Sequence, residues 1–258
     1  MNKIQPIKKL GQNFLVDKNI IKKIINQINP LNEDIFLEIG PGQGALTEHL
    51  VSKAKKVYAV EIDTRVIEIL QKNFPMLNLI NQDILKFQFD SLKEKNIRVA
   101  GNIPYNITSP ILFALIKNRN YITDCHLMMQ LEVAKRLIAK KNSRDYGILS
   151  VILDYFGTTD FCFKISPNVF YPRPKVYSAI VRINFTKKNI DEEFNKLFIQ
   201  VVKAAFQNRR KTLKNSLSNS IFKDCSFEKS ELDLSKRAEQ LSTSDFIELT
   251  KHIKQEYL

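Results

Sequence analysis

Apolar residues in the first hundred positions fall in short runs that alternate with longer segments of helical spacing. The short runs predict strands over residues 34–40, 56–63, 77–83 and 97–102. Between them, residues 44–54 and 64–74 place apolar side chains three and four positions apart, which is typical of helices. Strands and helices in this order predict an α/β, Rossmann-like fold, with a parallel sheet and helices on both of its faces.

The pattern changes from strands to helices in the second half of the chain. Further strands are predicted for DCHLMMQ (124–130), LSVILDYFG (149–157) and YSAIVRINF (177–185), with a helix over 131–140. Beyond residue 187 we expect helices only, over 191–217, 229–241 and 242–255. We place a boundary at the charged run 187–193. The sequence therefore predicts an α/β domain over residues 1–186, with a basic N-terminal arm, and a small helical domain over residues 187–258.

The net charge of the chain indicates what kind of partner it binds. The chain has 40 Lys and Arg against 27 Asp and Glu, a formal charge of +13, which favours a polyanionic partner such as nucleic acid or an acidic membrane surface. No apolar run approaches the roughly 18 residues that cross a bilayer. The start MNKIQPIKKLGQNF lacks the apolar core of a signal peptide. We therefore expect a cytoplasmic protein without a membrane partner.

Cysteine and histidine residues are few and scattered. Cys125, Cys162 and Cys225 form no C-x-x-C pair, and the chain has only three histidines. This pattern predicts no zinc or other metal site and indicates thiols that are buried or incidental.

A glycine-rich segment, EIGPGQGALT (38–47), follows the first predicted strand and opens a helix. Gly40, Gly42 and Gly44 allow a tight turn and a close approach of the backbone to a ligand. A nicotinamide dinucleotide fingerprint reads G-x-G-x-x-G, whereas here the third glycine comes one residue early. The spacing favours a nucleoside ligand that lacks a pyrophosphate.

Acidic residues stand at the ends of the following strands. Glu61 is placed to accept hydrogen bonds from both ribose hydroxyls of a nucleoside, and Asp83 from the amino group of an adenine. Glu38 and Asp63 add negative charge that suits a cation. Each acid alone is more often a solvated charge, but ligands of open α/β sheets bind where the carboxyl ends of the strands meet. Together they predict S-adenosylmethionine as the cofactor.

The tetrapeptide NIPY (102–105) ends the fourth predicted strand. Two acceptors, the Asn102 side-chain oxygen and the Ile103 carbonyl, suit the hydrogens of an exocyclic adenine amine and direct its lone pair to a methyl group. Pro104 stiffens the loop and Tyr105 can stack on the base. The alternative is that Asn and Pro serve here only as turn residues.

Ten motifs, in the same order over nearly the whole chain, resemble the small-subunit ribosomal RNA adenine dimethyltransferases. They are GQNFL (11–15), EIGPGQGALT (38–47), EID (61–63), QDIL (82–85), NIPYNITSPI (102–111), MMQLEVAKRL (128–137), YGILSV (146–151), ISPNVFYPRPKVYSA (165–179), RRKTLKNSL (209–217) and RAEQLS (237–242).

The resemblance implies an enzyme that methylates twice each of two adjacent adenines near the 3′ end of 16S rRNA, on an immature 30S subunit, and we expect it to act as a monomer. It implies Phe170 as the second wall of the pocket for the target base; this ring falls in a proline-punctuated loop, where we expect it to be exposed. The alternative is that Phe170 has only a packing role. Cofactor contacts are implied for Asn13, Leu15, Gly40, Glu61, Asp83 and Asn102.

Two positions depart from the pattern of that family. Tyr177 stands where Asp is usual, and Ile103 where Leu is commoner. Isoleucine is usual in the 23S rRNA methylases that confer antibiotic resistance, which makes such an enzyme the alternative, although the tail motifs favour the small-subunit family. A non-catalytic RNA-binding assembly factor also remains open. A dinucleotide-dependent oxidoreductase does not fit the glycine spacing.

Basic residues in the predicted second domain suit RNA phosphates. As a helix, residues 201–217 place Val202, Phe206, Leu213 and Leu217 on one face, and the RNA-binding candidates Lys203, Arg210, Lys211 and Lys214 on another. The alternative is a solvated basic face. A second basic patch is predicted in the N-terminal arm, from Lys3, Lys8, Lys9, Lys18, Lys22 and Lys23.

Overall fold

The computed structural model describes residues 4–186, 191–227 and 232–257. They form two compact units, one from Met1–Ala134 and Asp160–Phe185, the other from Lys135–Thr159 and Thr186–Leu258. The segment 135–159 packs with the second unit, although the sequence analysis placed it before the boundary. The division into domains at residues 186 and 187 stays a prediction, and part of the charged run that suggested it, residues 187–190, lies outside the described residues.

Strands and helices alternate through most of the described chain. In chain order they are β1 Phe14–Leu15, α1 Lys18–Ile28, β2 Ile35–Ile39, α2 Thr47–Val51, β3 Lys56–Glu61, α3 Thr64–Asn73, β4 Asn78–Asn81, β5 Ile97–Asn102, α4 Thr108–Lys117, β6 Ile122–Gln130, α5 Leu131–Leu137, α6 Ile148–Phe156, β7 Gly157–Ile165, β8 Phe170–Tyr171, β9 Ser178–Phe185, α7 Glu192–Phe206, α8 Leu213–Ser218 and α9 Thr243–Tyr257.

Seven strands form the main sheet, in the order β4-β3-β2-β5-β6-β9-β7. The pairs β4–β3, β3–β2, β2–β5 and β5–β6 are parallel, and β6–β9 is antiparallel. The four strands predicted before residue 103 are present, as are the predicted strands at β6 and β9. The predicted α/β fold is therefore confirmed.

Burial explains why these runs become central strands. Phe36, Leu37, Val99 and Leu127 are inaccessible to solvent, so the strands that carry them are covered on both faces. Strands covered on both faces have apolar runs rather than a strict alternation of apolar and polar residues. The polar residues Glu38, Glu61 and Asn102 come at or next to the carboxyl ends of these runs.

One apolar run is a helix and not the predicted strand. LSVILDYFG forms α6, and the strand follows it as β7, over GTTDFCFKI. Most residues of α6 are buried, and a short apolar run without alternation does not distinguish a buried helix from a buried strand. The sequence analysis missed β7, which carries polar residues in its first half.

The described residues after 186 contain helices and no strand, as predicted, but they differ from the prediction in two places. Residues 201–217 are not one helix: α7 ends at Phe206, and α8 begins after Thr212, whose side chain caps it by accepting from the Asn215 amide. The helix predicted over 229–241 is wrong, because the described part, 232–241, contains only a short 3-10 turn at Ala238–Gln240. The core of this unit includes the stacked rings of Tyr155 and Phe198, whose centroids are 4.0 Å apart.

Within the described residues, no helix is both long enough and apolar enough to span a membrane. No cluster of three or more His, Cys, Asp or Glu side chains in the same residues is arranged to hold a metal ion. Cys125, Cys162 and Cys225 are free thiols, and Cys125 is buried.

At Gly101 the backbones of the neighbouring strands β5 and β2 leave no room for a side chain. Gly101 pairs with Ile39, and a Cβ atom at Gly101 would lie 2.5 Å from the Ile39 carbonyl oxygen. A backbone atom cannot move aside as a flexible side chain can. Glycine is therefore required at position 101 for β5 to keep its distance from β2.

We predict that Gly101→Ala lowers the free energy of unfolding by roughly 1–3 kcal/mol, the usual cost of forcing an extra group into a packed core. Urea unfolding measures this change. Gly147→Ala is the matched control, because no atom lies within 4 Å of a Cβ placed there. Equal stability of the two variants would contradict the close approach of β2 and β5.

Candidate active site

A cleft opens where the carboxyl ends of the parallel strands meet. Ile39 pairs with Val60 on one side and with Gly101 on the other, so Gly40, Glu61 and Asn102 come to the same edge of the sheet. The cleft has an empty volume of about 790 Å³, part of it open to solvent. Of the predicted site residues, it is lined by Asn13, Leu15, Gly40, Glu61, Asn102, Ile103, Pro104 and Tyr105.

The glycine loop forms the floor of the cleft. Gly40 and Gly42 have φ angles of +64° and +54°, which L side chains rarely adopt. A Cβ at Gly42 would also lie 3.0 Å from the Phe14 ring. The loop therefore needs glycine for its backbone conformation and for the packing of the N-terminal segment against it.

Residues 10–15 form a wall of the cleft. The Asn102 side-chain nitrogen donates to the Asn13 carbonyl at 2.8 Å, and the Gln12 side-chain nitrogen donates to Asp63 Oδ2 at 2.8 Å. Behind them, β1 pairs with β8 in antiparallel register, with Leu15 opposite Phe170. The N-terminal segment is thus held to the ends of two strands of the main sheet.

Glu61 ends β3 with a buried carboxylate. One oxygen, Oε1, accepts from the backbone amides of Ile62 at 2.8 Å and Asp63 at 3.0 Å. Burial raises the pKa of Glu61, and these hydrogen bonds oppose the rise. The amides fix the direction of the carboxylate, which a ligand with hydroxyl donors can then use.

Glu38 lies deeper in the cleft, at the end of β2. Its Oε2 accepts from the Thr47 hydroxyl at 2.7 Å. Burial raises the pKa of Glu38 from 4.5 to about 7, Thr47 opposes the rise, and the negative charge of Glu61 adds to it. A cation bound in the cleft would favour the ionised form of Glu38.

Asp63 does not contribute negative charge to the cleft as expected from the sequence. Its carboxylate caps α3 and pairs with the Arg65 guanidinium at 2.6 Å, and it lines neither this cleft nor the cavity beside it. The hydrogen bonds from Arg65 lower the pKa of Asp63. The Arg65 cation therefore already offsets the negative charge that the sequence analysis assigned to Asp63.

Asp83 lies in an adjoining cavity of about 690 Å³, which shares Gly40, Glu61 and Pro104 with the cleft. Asp83 Oδ1 accepts from the Leu85 amide at 2.9 Å. The sequence analysis missed Ile62 and Leu85, two exposed apolar residues that line this cavity; Ile62 is 50% exposed. An apolar residue directly after an acidic strand end, as in EID, is the signal that could have indicated Ile62.

The NIPY loop is fixed at each of its four residues. The Ile103 amide donates to the Met128 carbonyl at 3.1 Å, and the Ile103 side chain is buried. Pro104 has φ −58°, and its carbonyl accepts from the Thr108 hydroxyl at 3.2 Å. The Tyr105 hydroxyl lies 2.6 Å from that of Ser178 on β9, and burial raises the pKa of Tyr105.

Phe170 differs from its predicted environment. The ring is 4% exposed and belongs to the core cluster that includes Leu15, Met128 and Ile180, and it lines neither cavity. The expectation of an exposed ring is wrong, because β8 pairs with β1 and turns Phe170 inward.

The predicted RNA-binding residues of the second unit are all exposed. Lys203 lies on α7, Arg210 and Lys211 lie in the turn that follows it, and Lys214 lies on α8, while Val202, Phe206, Leu213 and Leu217 are buried as predicted. In the N-terminal arm Lys8, Lys9, Lys18, Lys22 and Lys23 are exposed, and Lys3 lies outside the described residues.

Sheet order and site together define a Rossmann-like methyltransferase. A family model, ribosomal RNA adenine dimethylase, matches residues 4–255. The chain belongs to this family. The predicted enzyme class, an rRNA adenine dimethyltransferase, is thereby confirmed, and with it the prediction of S-adenosylmethionine as the methyl donor.

Individual relatives agree with this assignment. The chain is 46% identical over 255 residues to the ribosomal RNA small subunit methyltransferase A of Francisella tularensis subsp. novicida, covering 95% of this chain and 97% of that protein. A dimethyladenosine transferase from Plasmodium falciparum matches in structure with a TM-score of 0.78 and 26% identity, over 95% and 98% of the two chains. The 23S rRNA methyltransferase ErmE has a TM-score of 0.69 at 24% identity, over 94% and 100%, which shows a shared fold.

We predict that Glu38→Gln changes how stability depends on pH. The folded pKa of about 7 lies above the ordinary 4.5, so the folded protein binds more protons between these pH values, and its free energy of unfolding falls as pH rises through this window. Glutamine removes the titration. Between pH 5 and pH 8 the variant should therefore gain up to ~3 kcal/mol relative to the wild type.

Urea unfolding of the ligand-free protein at the two pH values measures the effect. The exposed Glu48, on α2, gives the control Glu48→Gln, which should follow the wild type. If the Glu38→Gln and wild-type stabilities change in parallel with pH, Glu38 does not titrate in this range.

Proposed function

We propose that this enzyme transfers methyl groups from S-adenosylmethionine to the N6 amines of two adjacent adenines near the 3′ end of 16S rRNA, in an assembling 30S subunit. The observation that carries the proposal is the placement of Asn102. Its side-chain nitrogen is committed to the Asn13 carbonyl at 2.8 Å, on the rim of a cleft that also holds Glu61 and the glycine loop.

The cleft suits S-adenosylmethionine. A buried carboxylate at Glu61 can accept from ribose hydroxyls, and Asp83 in the adjoining cavity can accept from an adenine amino group. Glu38, a buried carboxyl whose pKa is raised to about 7, is suited to a positive charge, which would favour its ionised form. When bound, this cofactor supplies a methyl group activated by attachment to a sulfonium. We assign Asn13, Leu15, Gly40, Glu61, Asp83 and Asn102 to its binding.

Asn102 and Ile103 orient the amine that accepts the methyl group. Since the Asn102 nitrogen donates to Asn13, its side-chain oxygen is left as an acceptor for one amine hydrogen. The Ile103 carbonyl can accept the other, because the amide of the same residue is anchored to Met128. Acceptors held in place before the reaction favour the transition state without reorganisation.

The aromatic residues hold the base. Tyr105 lines the cleft with its hydroxyl anchored on Ser178, so its ring is positioned to stack on a base taken out of the RNA. Pro104 restricts the loop between Ile103 and Tyr105. Phe170 stays in the proposal on the family resemblance alone, because its ring is buried here and reaches a base only if β8 shifts.

Exposed cations of the second unit supply affinity for the RNA backbone. Lys203, Arg210, Lys211 and Lys214 come from two helices and the turn between them, and none of the four side chains is buried. Contacts of this kind are independent of sequence and sensitive to salt. We infer that they bind phosphates of the subunit.

The proposed substrate also gives the setting of the reaction. Immature ribosomal subunits are cytoplasmic particles, so we place the enzyme in the cytoplasm. We propose that it acts as a monomer, with the subunit as its macromolecular partner.

Two alternatives give different results in one assay. Transfer of a labelled methyl group is measured separately to immature 30S particles and to 23S rRNA. We expect label in 16S rRNA only. Label in 23S rRNA would support the alternative, a resistance-type 23S rRNA methylase. Ile103 and the fold that the chain shares with ErmE are consistent with that alternative. Binding to 30S particles without transfer would support a non-catalytic assembly factor.

We predict that Asn102→Ala slows single-turnover methyl transfer to immature 30S particles by roughly 10²-fold or more at saturating cofactor, the usual effect of losing one preorganised hydrogen-bonding group. Because Asn102 also holds Asn13, cofactor affinity should fall as well. The net loss of stability should stay at roughly 0.5–1.5 kcal/mol, the value of one hydrogen bond.

Two further variants serve as controls for the methyl-transfer measurement on Asn102→Ala. Asn73→Ala, at an exposed asparagine that ends α3, should behave as the wild type. Glu61→Ala should lose cofactor affinity, measured by calorimetry, while it remains folded. A strongly destabilised Asn102→Ala protein that still transfers methyl groups at the normal rate would show that Asn102 only shapes the turn.

We predict that Lys211→Ala combined with Lys214→Ala weakens 30S binding and flattens its salt dependence, by roughly one unit of log–log slope per lost phosphate contact. Binding is measured at several salt concentrations. Lys95→Ala, at an exposed lysine of the first unit, is the control. An unaltered slope in the double variant would indicate a solvated basic face.

A further inference from the structure

Tyr177, which departs from the family pattern, lies on an exposed surface that combines aromatic rings with positive charge. Its ring is 45% exposed. We call its surroundings the Tyr177 surface, and it consists of Lys164, Tyr171, Arg173, Lys175, Val176 and Tyr177, all of them exposed. No Asp or Glu occurs between residues 161 and 182, so the segment of the chain that carries this surface has basic residues but no acidic ones.

Two contacts position Tyr177, one to its ring and one to its backbone. The Lys164 ammonium lies 3.6 Å from the centroid of the ring, a cation–π contact. The Tyr177 carbonyl accepts from the Leu131 amide at 2.9 Å, which fixes the backbone at the start of β9. One face of the ring thus has a cation against it, and the side chain keeps almost half of its surface open to solvent.

Tyr177 is also a direct chain neighbour of the active site. Ser178, the next residue, holds the Tyr105 hydroxyl at 2.6 Å and is itself fully buried. Consecutive Cα atoms are about 3.8 Å apart. The Tyr177 surface therefore begins one residue from the group that anchors Tyr105, at the same edge of the sheet as Asn102.

We propose that Tyr177 stacks on the base next to the adenine being methylated, with Lys164, Arg173 and Lys175 against the adjacent phosphates. This inference rests on the proposed function. An adenine that leaves its stack exposes the face of its neighbour, and an aromatic ring restores that contact. Exposed aromatic rings and several cations on one short segment together match single-stranded RNA.

The test uses a hairpin RNA whose loop has two adjacent adenines, with the fluorescent adenine analogue 2-aminopurine in place of one of them. Affinity and emission are measured for the wild type, Tyr177→Ala and Tyr177→Phe. Met76→Ala is the control, because Met76 is 84% exposed and is a large apolar residue outside the Tyr177 surface.

We expect Tyr177→Ala to raise the Kd for the hairpin about 5- to 150-fold, the range that loss of one stacked base produces. Emission of the neighbouring 2-aminopurine should increase because the base is no longer stacked. In methyl transfer to 30S particles, KM should rise while kcat and cofactor affinity stay unchanged, which separates a contact to RNA from a structural defect. Tyr177→Phe and Met76→Ala should behave as the wild type.

Two results would overturn the inference. One is a Kd for Tyr177→Ala within twofold of the wild type, which would leave this surface to another partner. The other is an equal loss of affinity in Tyr177→Phe, which would assign the effect to the hydroxyl group. If the wild type transfers no methyl group to 30S particles while Tyr177→Ala still weakens hairpin binding, the proposed function fails and the Tyr177 contact stands.

Discussion

The close packing of β5 against β2 at Gly101 is the constraint on which the site depends. With no side chain at that position, the two strands run side by side up to their carboxyl ends, and the Asn102 carbonyl comes to 3.8 Å from where a Cβ of Gly40 would lie. The glycine loop and the NIPY loop thus leave the sheet from adjacent strands. A wider spacing would separate the proposed acceptor of the amine from the floor of the cleft.

The carboxylates in and beside the cleft differ in whether they have a cationic partner. Asp63 is paired with Arg65, whereas Glu38 and Glu61 are buried and have no ion pair among the described residues, and both have raised pKa values. Bringing a cation into such a site relieves the desolvation of the carboxylates as well as their mutual repulsion. The N-terminal segment belongs to the same arrangement, because Gln12 bonds Asp63 and Asn13 receives the Asn102 amide. The N-terminal wall of the cleft is thus held by hydrogen bonds to residues at the ends of β3 and β5.

Much of this site could be predicted from the sequence, because parallel strands necessarily bring their carboxyl ends together and the polar residues stand at those ends. The prediction of helices and strands was wrong where a segment is buried on all sides, because its apolar residues then show no helical spacing. Most residues of α6 are apolar, and the segment was therefore predicted as a strand. Long-range pairing was equally out of reach, since nothing near Phe170 in the chain shows that β8 pairs with β1 and buries the ring. The engagement of Asp63 by Arg65 needed the side-chain geometry, although the two residues are neighbours in α3 and its cap.

The strand order of the sheet also limits how early the protein can fold during its synthesis. β9 lies between β6 and β7, so the edge of β6 beyond the parallel strands stays uncovered until residue 185 has been made. The segment 135–159 is made before the helices α7 and α9 with which its unit is completed. More than two thirds of the chain must therefore leave the ribosome before either unit is closed. Exposed strand edges and apolar surface in that interval favour association with other chains.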